Sequence, residues 1–582
     1  MRVADWIGKR LRAESDVIFG VTGGCIINCV DGFHKQGLRV IPMHHEQAAA
    51  MAADGYARVS GKLGLCFATS GPGGQNLITG LASAYYDSVP VLAIIGQVPS
   101  SQHIKTRNSP GLRQFGFQES PNADLALPVV KYATTVAKAE FLHRCLWEAL
   151  HAAKKPRSGP TVLEICDDVQ RAEIEGEEVF AAYPPVDANL AYSFRTVDAN
   201  LAYSFRTVFA SVAKEAKRPI LILGAGITQA GMQRQAYAFV HTLKMPTLLS
   251  WGGKDLLSEE DPYYVGGFGV VSERTGNYAL KHADLIISIG CRLDTHSFGS
   301  DYSWLEGKTV LMVDIDQAEL NKMPPSVKAF RADITKVVDE PIRVPADWPQ
   351  WLANIREVRK KFPIVVSDDD DMNPYTAMAR VSKHVHNNAI IIPDAGQALS
   401  WAFQAWKTAP GQTIFSDFNN SCMGWALPAA IGAAVAAPDR PVYCIIGDGS
   451  LMMNLQELQT LAHLNLNVKV VVIDNGGYGM IKQTQGDWGT LEYGVACDER
   501  GGLSLPDWGM IAEAFGIRHG VAISEATTRT AFDHIGPVLV RVPVLTGSKI
   551  EPKLRFGSPL WEQSPALDSK DQEWIDATLE GK

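Results

Sequence analysis

The sequence predicts an α/β fold of three doubly wound parallel-sheet domains followed by a C-terminal tail. Three observations carry this. At 582 residues the chain is too long for one core and suggests about three domains of ordinary size. Short continuous apolar runs end in glycine turns, with helical spacing between them, which is the pattern of strands buried on both faces. That pattern recurs in three blocks, separated by polar stretches that carry proline.

The first block, residues 1–180, opens with an amphipathic helix pattern over 1–15. Strands are expected at 17–21, 40–43, 65–68 and 91–95, three of them running into Thr22-Gly23-Gly24, Thr69-Ser70-Gly71 and Gly96-Gln97. Pro184 and Pro185 mark the first boundary. The second block, 181–345, has apolar runs at 220–223, 285–289 and 310–313. A polar stretch at 341–349 leads into the third block, 346–548, with strands near 389–392, 442–446 and 468–473. The tail, 549–582, is polar, carries Pro552, Pro559 and Pro565, and reads as irregular. The eleven residues 186–196, VDANLAYSFRT, recur unchanged at 197–207. Eleven residues make about three helical turns, so a second copy keeps the same face inward. Two copies are no solenoid, and the repeat is assigned no function.

Composition narrows the function classes. Hydrophobic content of 46% and charged content of 20% are those of an ordinary globular protein. A net charge of −9 and a pI near 5.9 argue against a nucleic-acid partner. No apolar run reaches the roughly 18–20 residues of a membrane helix, and the N-terminus lacks the apolar core of a signal peptide. Nine cysteines without CxxC spacing read as thiols in a reducing compartment, so a cytoplasmic location is expected.

The chemistry is concentrated between Gly447 and Gly477. This segment opens with Gly447-Asp448-Gly449-Ser450 and closes with Asp474-Asn475-Gly476-Gly477. Each cluster follows an apolar run, so each sits at the C-terminal end of a strand, where open α/β sheets bind ligands. Asp448 offers a carboxylate oxygen, Asn475 an amide oxygen, and the backbone beyond it carbonyl oxygens. Mg²⁺ takes oxygen ligands octahedrally and shares them with phosphates. The glycines let backbone N–H groups approach those phosphates.

A second constellation follows the strand at 40–43. His44-His45-Glu46-Gln47 opens an alanine-rich helix through Gly55-Tyr56-Ala57-Arg58. Taken alone, a glutamate on a first helical turn is a favourable partner of the helix dipole.

The segment 447–477 resembles the diphosphate–metal motif of thiamine-diphosphate enzymes. The run HEQAAAMAADGYAR, followed by TSGPGGQN, resembles the pyrimidine-binding domain of the acetolactate synthase large-subunit branch of that family. The likeness covers nearly the whole chain, with the motifs in the family's order. It implies a pyrimidine-binding domain over 1–180, a central domain over 181–345 and a diphosphate- and Mg²⁺-binding domain over 346–548. Metal ligation is implied for Asp448, Asn475 and the backbone of Gly477. Gly447, Gly449 and Ser450 belong to the same cofactor site, as do Gly396 and Gln397 at the end of the 389–392 strand. Glu46 is implied as the carboxylate that stabilises the reactive tautomer of the cofactor's aminopyrimidine, with Pro72 and Asn76 beside it. Met423 takes the place of the apolar side chain that bends the cofactor. Gln118, with His44 or His45, is implied to assist protons near the reacting carbon. In flavin-containing members, the places of Arg157, Gly224, Arg292 and Asp314 contact FAD, which is the third cofactor the likeness raises. Because Glu46 and Asp448 lie on different domains, and the family pairs them across two chains, a homodimer or homotetramer is implied.

The likeness also has departures. Ordinary acetolactate synthases carry a lysine where this chain has Ile165-Cys166-Asp167, an arginine where it has His296, and a tryptophan where it has Thr484. Those cations would pair with the carboxylate of a keto-acid acceptor. The segments 111–119, 481–485, 551–554 and 559–560 resemble instead a subgroup found with surface-polysaccharide synthesis. The implied function is therefore a carboligase that decarboxylates a 2-keto acid, pyruvate first among them, and transfers the two-carbon unit to an acceptor carbonyl. True acetolactate synthase, a 2-keto acid decarboxylase and a flavin oxidase remain alternatives.

Overall fold

The computed structural model describes residues 1–104, 111–174, 203–339, 342, 344, 347–365, 371–490, 494–495, 502–555 and 557–582. Residues 186–202, which hold the first repeat copy and most of the second, lie outside this set, as do Pro184, Pro185 and Pro341.

Three six-stranded sheets, parallel throughout, form the frame. The N-terminal sheet contains β1 (Val17–Gly20), β2 (Arg39–Pro42), β3 (Gly64–Ala68), β4 (Val91–Gln97), β5 (Tyr132–Val136) and β6 (Thr161–Cys166), in the order β2-β1-β3-β4-β6-β5. The central sheet contains β7 (Pro219–Leu223), β8 (Thr247–Leu249), β9 (Tyr264–Gly267), β10 (Leu285–Ile289), β11 (Thr309–Asp314) and β12 (Val327–Arg331), ordered β12-β11-β10-β7-β8-β9. The C-terminal sheet contains β13 (Ile390–Pro393), β14 (Thr413–Ile414), β15 (Val442–Gly447), β16 (Val468–Asp474), β17 (Arg518–Val521) and β18 (Val538–Pro543), ordered β14-β13-β15-β16-β18-β17. The strand order reverses between β1 and β3, between β10 and β7, and between β13 and β15, and such a switch opens a crevice at the C-terminal strand ends. Central strands such as β4 are buried along their whole length, so their side chains must be apolar on both faces.

The N- and C-terminal sheets share a core. Apolar residues of β1, β3 and β4 and of β13, β15 and β16 pack into one cluster around two helices, Glu46–Ser60 and Ala426–Ala436. These helices meet backbone to backbone. A Cβ on Gly432 would stand 1.9 Å from the Ala52 carbonyl oxygen, and one on Gly55 would stand 2.2 Å from that of Ala429. Both helices are alanine-rich because nothing larger fits the crossing.

The tail differs from expectation. Lys553–Leu554 and Gln563–Ser564 form a small antiparallel ladder, and Ser569–Glu580 is a helix capped by the Asp568 side chain on the Asp571 N–H. Leu560, Ile575 and Leu579 enter the core of the central domain. The prolines interrupt the segment before the helix rather than within it, and the buried face supplies its stability. Among the described residues no helix is long and apolar enough to cross a membrane.

The crossing gives a direct test. Gly432→Ala is expected to destabilise the protein by about 1–3 kcal/mol, because both contacts are backbone and neither can move aside. Gly486→Ala, in the Gly479–Asp487 helix with nothing within 4 Å of the added carbon, is expected to be neutral or stabilising. Thermal unfolding of the two variants separates packing from helix propensity.

Candidate active site

β15 and β16 are adjacent and parallel, with Gly447 opposite Ile473. Their ends bring Asp448 against Asn475, Gly476 and Gly477. The buried Asp448 carboxylate accepts three consecutive backbone N–H groups on Oδ2, from Asn475 at 3.1 Å, Gly476 at 2.7 Å and Gly477 at 3.1 Å. Oδ1 accepts the Gly449 N–H at 2.6 Å. Gly476 and Gly477 sit at φ 76° and 136°, which turns successive N–H groups to one side and which glycine alone adopts freely. Burial pushes the Asp448 carboxyl up to about 6, against the pull of those N–H groups.

The Asn475 amide decides what this cradle can hold. Its Nδ2 donates to Gln397 Oε1 at 2.7 Å. Its oxygen faces three other oxygens: both Asp448 carboxylate atoms at 3.3 Å and the Gly477 carbonyl at 2.8 Å. Turning the amide over would give Asp448 and Gly477 a donor, but would set two amide oxygens 2.7 Å apart at Gln397. Gln397 cannot turn in response without losing the bond from its Nε2 to the Ser548 carbonyl at 2.8 Å. The amide oxygen therefore stays among oxygens with no proton between them, an arrangement that a cation stabilises. An octahedral Mg²⁺ with bonds near 2.0–2.1 Å holds neighbouring ligand oxygens about 2.9 Å apart; the Gly477 carbonyl stands at that separation and the Asp448 oxygens somewhat beyond it. Among the described residues no three His, Cys, Asp or Glu side chains gather as a metal cage. A cation here would have one carboxylate, one amide oxygen and one carbonyl from the protein, and would take its remaining ligands from elsewhere.

Two residues missed by sequence reasoning, Gly479 and Asp394, complete the cradle. Gly479 leaves room for Gln397, since a Cβ there would strike Gln397 Oε1 at 2.0 Å. Asp394, buried at the end of β13, accepts the N–H groups of Gly424 at 3.0 Å and Ala426 at 2.7 Å and bonds the Ser450 hydroxyl. Burial pushes its carboxyl up to about 7. It ties the Met423 loop to the cradle, and Gly424 packs on Ser450 and Met453. Asp394 follows an apolar run as Asp448 does, so the same strand-end rule would have found it. Glu457, also missed, lies outside the cradle and bonds the main chain just before Glu46. Gly396, at φ 82° with open space around its Cα, turns the chain into the helix that carries Gln397.

The N-terminal residues gather separately. Glu46 begins its helix and accepts the Asn76 amide at 3.0 Å. Pro72 opens the short helix Pro72–Asn76, and Gly73 leaves room beside Glu46 Oε1. Gln118 is a non-glycine residue at φ 61°, with its carbonyl oxygen against Gly71, so the turn holds it in a conformation that costs energy. Among the described residues Glu46 bonds Asn76 and no residue of the cradle. The two histidines expected to assist protons have other duties. His45 Nδ1 caps the Glu46–Ser60 helix by accepting the Gln47 N–H, and His44 Nδ1 lies 2.9 Å from Thr460 Oγ1.

The set raised for FAD gathers at the central domain, but its charges are spent. Arg157 pairs with Asp316, and with Glu319 at 3.0 Å. Arg292 pairs with Glu319 at 3.0 Å and bonds Asn419. Asp314 accepts the Asp316 N–H, and burial pushes its carboxyl up to about 6. The Gly224 N–H is taken by the Ile289 carbonyl, and its missing side chain makes room for Gly290 and Cys291. An anionic diphosphate would have to displace Asp316 and Glu319, so these residues as they stand do not fit FAD.

The three departures also have local explanations. Asp167 pairs with Asn28 and Arg171. His296 packs edge-on to Trp251 at 4.2 Å, and burial lowers its basicity, so it supplies no cation. Thr484 donates its hydroxyl to Met480 in its own helix.

Comparison with known proteins agrees with this layout. The N-terminal TPP binding domain of thiamine pyrophosphate enzymes matches residues 1–120, the central domain 208–340 and the C-terminal TPP binding domain 394–542. The chain is 33% identical over 556 residues to the acetolactate synthase isozyme 2 large subunit of Escherichia coli K12, covering 94% of this chain and 96% of that one. It is 32% identical over 540 residues to a probable acetolactate synthase large subunit of Methanococcus aeolicus, covering 89% and 87%. It is 31% identical over 562 residues to the acetolactate synthase of Arthrospira platensis, covering 93% of each.

Replacing Gln397 by Leu frees the Asn475 amide to turn. Mg²⁺ affinity, read by intrinsic tryptophan fluorescence with thiamine diphosphate present, is expected to fall about 10–100-fold. Unchanged affinity would remove the orienting role.

Proposed function

This chain belongs to the thiamine pyrophosphate enzymes, in the family of the acetolactate synthase large subunits, and from that premise we propose a carboligase with a non-carboxylate acceptor. It takes a two-carbon unit from a 2-keto acid, pyruvate first among them, and adds it to a carbonyl compound such as a keto-sugar. One observation carries the choice of acceptor: the three positions where acetolactate synthases place lysine, arginine and tryptophan hold an acid, an uncharged buried imidazole and a self-bonded hydroxyl. None can pair with a second carboxylate.

Thiamine diphosphate supplies, when bound, a carbon that adds to the keto group and accepts the electrons released with CO₂. The protein's part is binding and proton placement. Asp448, Asn475 and the Gly477 carbonyl hold Mg²⁺. Gly396, Gln397, Gly447, Gly449 and Ser450 border the diphosphate, and Met423 supports the cofactor's bend. The Glu46 carboxylate holds a proton on the pyrimidine ring, with Pro72 and Asn76 beside it. Gln118, on its strained turn, would assist protons near the reacting carbon.

A homodimer completes the site. In one chain, among the described residues, Glu46 and the cradle are not bonded to each other, and two large apolar side chains of the same domains stand exposed. Phe117, next to Gln118 in sequence, is 82% exposed, and Trp488, just past the end of the Gly479–Asp487 helix, is 71% exposed. Such surfaces favour a partner chain, here a second copy that brings its Glu46 to this cradle. Eight described cysteines are free, which favours the cytoplasm.

The rival reading, pyruvate as both donor and acceptor, is favoured by the names of the relatives. Labelled pyruvate supplied with a panel of aldehydes, keto acids and keto-sugars, with products read by mass spectrometry, separates the two. A branched sugar product is expected; acetolactate as the main product would overturn the acceptor assignment. Glu46→Gln is expected to slow product formation about 10²–10⁴-fold, and full activity in that variant would overturn the catalytic assignment. Visible flavin absorbance is expected to be absent from the purified protein, and its presence would require FAD to displace Asp316 and Glu319.

A further inference from the structure

Glu457 belongs to the C-terminal domain, yet its side chain serves the N-terminal one. It begins the helix Glu457–His463 and is 0% exposed. Its Oε1 accepts two main-chain N–H groups, from His44 at 2.9 Å and His45 at 3.1 Å. Its Oε2 accepts the Thr460 hydroxyl at 2.7 Å, and Thr460 Oγ1 in turn faces His44 Nδ1. His44 and His45 are the two residues immediately before Glu46.

Burying a carboxylate costs several kcal/mol unless its oxygens are satisfied. Glu457 meets that cost with donors from a segment more than 400 positions away in sequence. As interdomain glue this would be redundant, since the Gly55–Gly432 crossing already locks the two domains together. Its position is informative for another reason. The two bonded N–H groups are the last fixed points of the chain before the Glu46 carboxylate, and among the described residues no other side chain caps them. The same short segment reaches the rest of the site. Asp448 lies nine residues before Glu457, and Asn454 bonds the Gly424 carbonyl beside Met423 at 2.9 Å while touching Met51 on the Glu46 helix.

We propose that Glu457 is a positioning residue: it fixes the start of the Glu46–Ser60 helix and thereby sets where the Glu46 carboxylate stands. This rests on the reading of Glu46 as the group that activates thiamine diphosphate. In a dimer whose sites are shared, it also joins, through one chain, the cradle of one site to the Glu46 of the other.

The test uses the full-length protein loaded with thiamine diphosphate and Mg²⁺, and reads exchange of the cofactor's C2 proton for deuterium by quenched NMR. Cofactor affinity is measured alongside by tryptophan fluorescence. Glu457→Ala and Glu457→Asp are expected to slow exchange about 100-fold, the cost of a displacement near 1 Å at a catalytic group, with cofactor affinity unchanged. Glu457→Asp keeps the charge but retracts the carboxylate by one carbon–carbon bond, so it carries the test if the alanine variant fails to fold. Glu457→Gln keeps an oxygen for both N–H groups and can donate to Thr460, so it is expected to restore most of the exchange rate. Wild-type exchange in Glu457→Asp, or loss of cofactor affinity in step with exchange, would overturn the positioning role. Glu46→Gln is the control: exchange unaffected in that variant overturns the role of Glu46 itself, whatever Glu457 does.

Discussion

The crossing of the Glu46–Ser60 and Ala426–Ala436 helices is the constraint on which the rest of the structure depends. Their backbones touch at Gly55 and Gly432, so the angle and distance between two domains are set without adjustable side chains. Both helices begin at site residues. Glu46 is the first residue of one, and Met423 lies three positions before the other. Close packing of small residues therefore fixes the places of a carboxylate and of an apolar support, at the ends of rods that cannot slide. Arg58, on the same helix, adds ion pairs to Asp54 and Asp87 and lies over the Trp425 ring, which ties the far end of the crossing down as well.

Three buried carboxylates then convert this frame into a site. Asp448, Asp394 and Glu457 each spend their oxygens on backbone N–H groups at the ends of strands or the starts of helices. Such groups would otherwise be orphaned in a dry interior. Each carboxylate fastens a loop that no regular hydrogen-bond ladder could hold: Asp448 the glycine turn after β16, Asp394 the Met423 loop, Glu457 the approach to Glu46. The turn after β16 and the Met423 loop stay free of side-chain bulk because Gly476, Gly477 and Gly424 stand at their turning points.

The frame was largely legible in the sequence because fully buried strands have no polar face to obscure them. The run expected at 442–446 is β15 (Val442–Gly447), and 285–289 is β10 without change. Apart from β2, expected at 40–43, the edge strands were not singled out. Val327–Arg331 is exposed along much of its length, so its sequence carries no apolar run. The tail helix was hidden by prolines that lie before it. In the site, Asp448 and Asn475 were readable because they stand at strand ends next to glycine. Glu457 was not, because its meaning lies in contacts with His44 and His45, and no local pattern encodes a partner that distant. The charges beside Arg157 and Arg292 were hidden for the same reason: Asp316 and Glu319 read as ordinary acids until folding sets them against those arginines.

Charge balance links the two halves of the site. A divalent cation held by one carboxylate, one amide oxygen and one carbonyl keeps an excess of one positive charge, which in a buried place must be met by an anion. The cradle is thus built for a ligand that brings its own negative oxygens, and a protein cage with more carboxylates would repel it. The positions assigned to the acceptor have the opposite character. Asp167 is acidic, His296 is kept neutral by burial against Trp251, and Thr484 has turned its hydroxyl inward. An acceptor with a carboxylate would meet no compensating charge there, whereas a neutral carbonyl would lose nothing. On the proposed reading, the segment from Gly447 to Gly477 favours an anionic cofactor group through its cation, while Asp167, the neutral His296 and Thr484 offer no such charge to the acceptor.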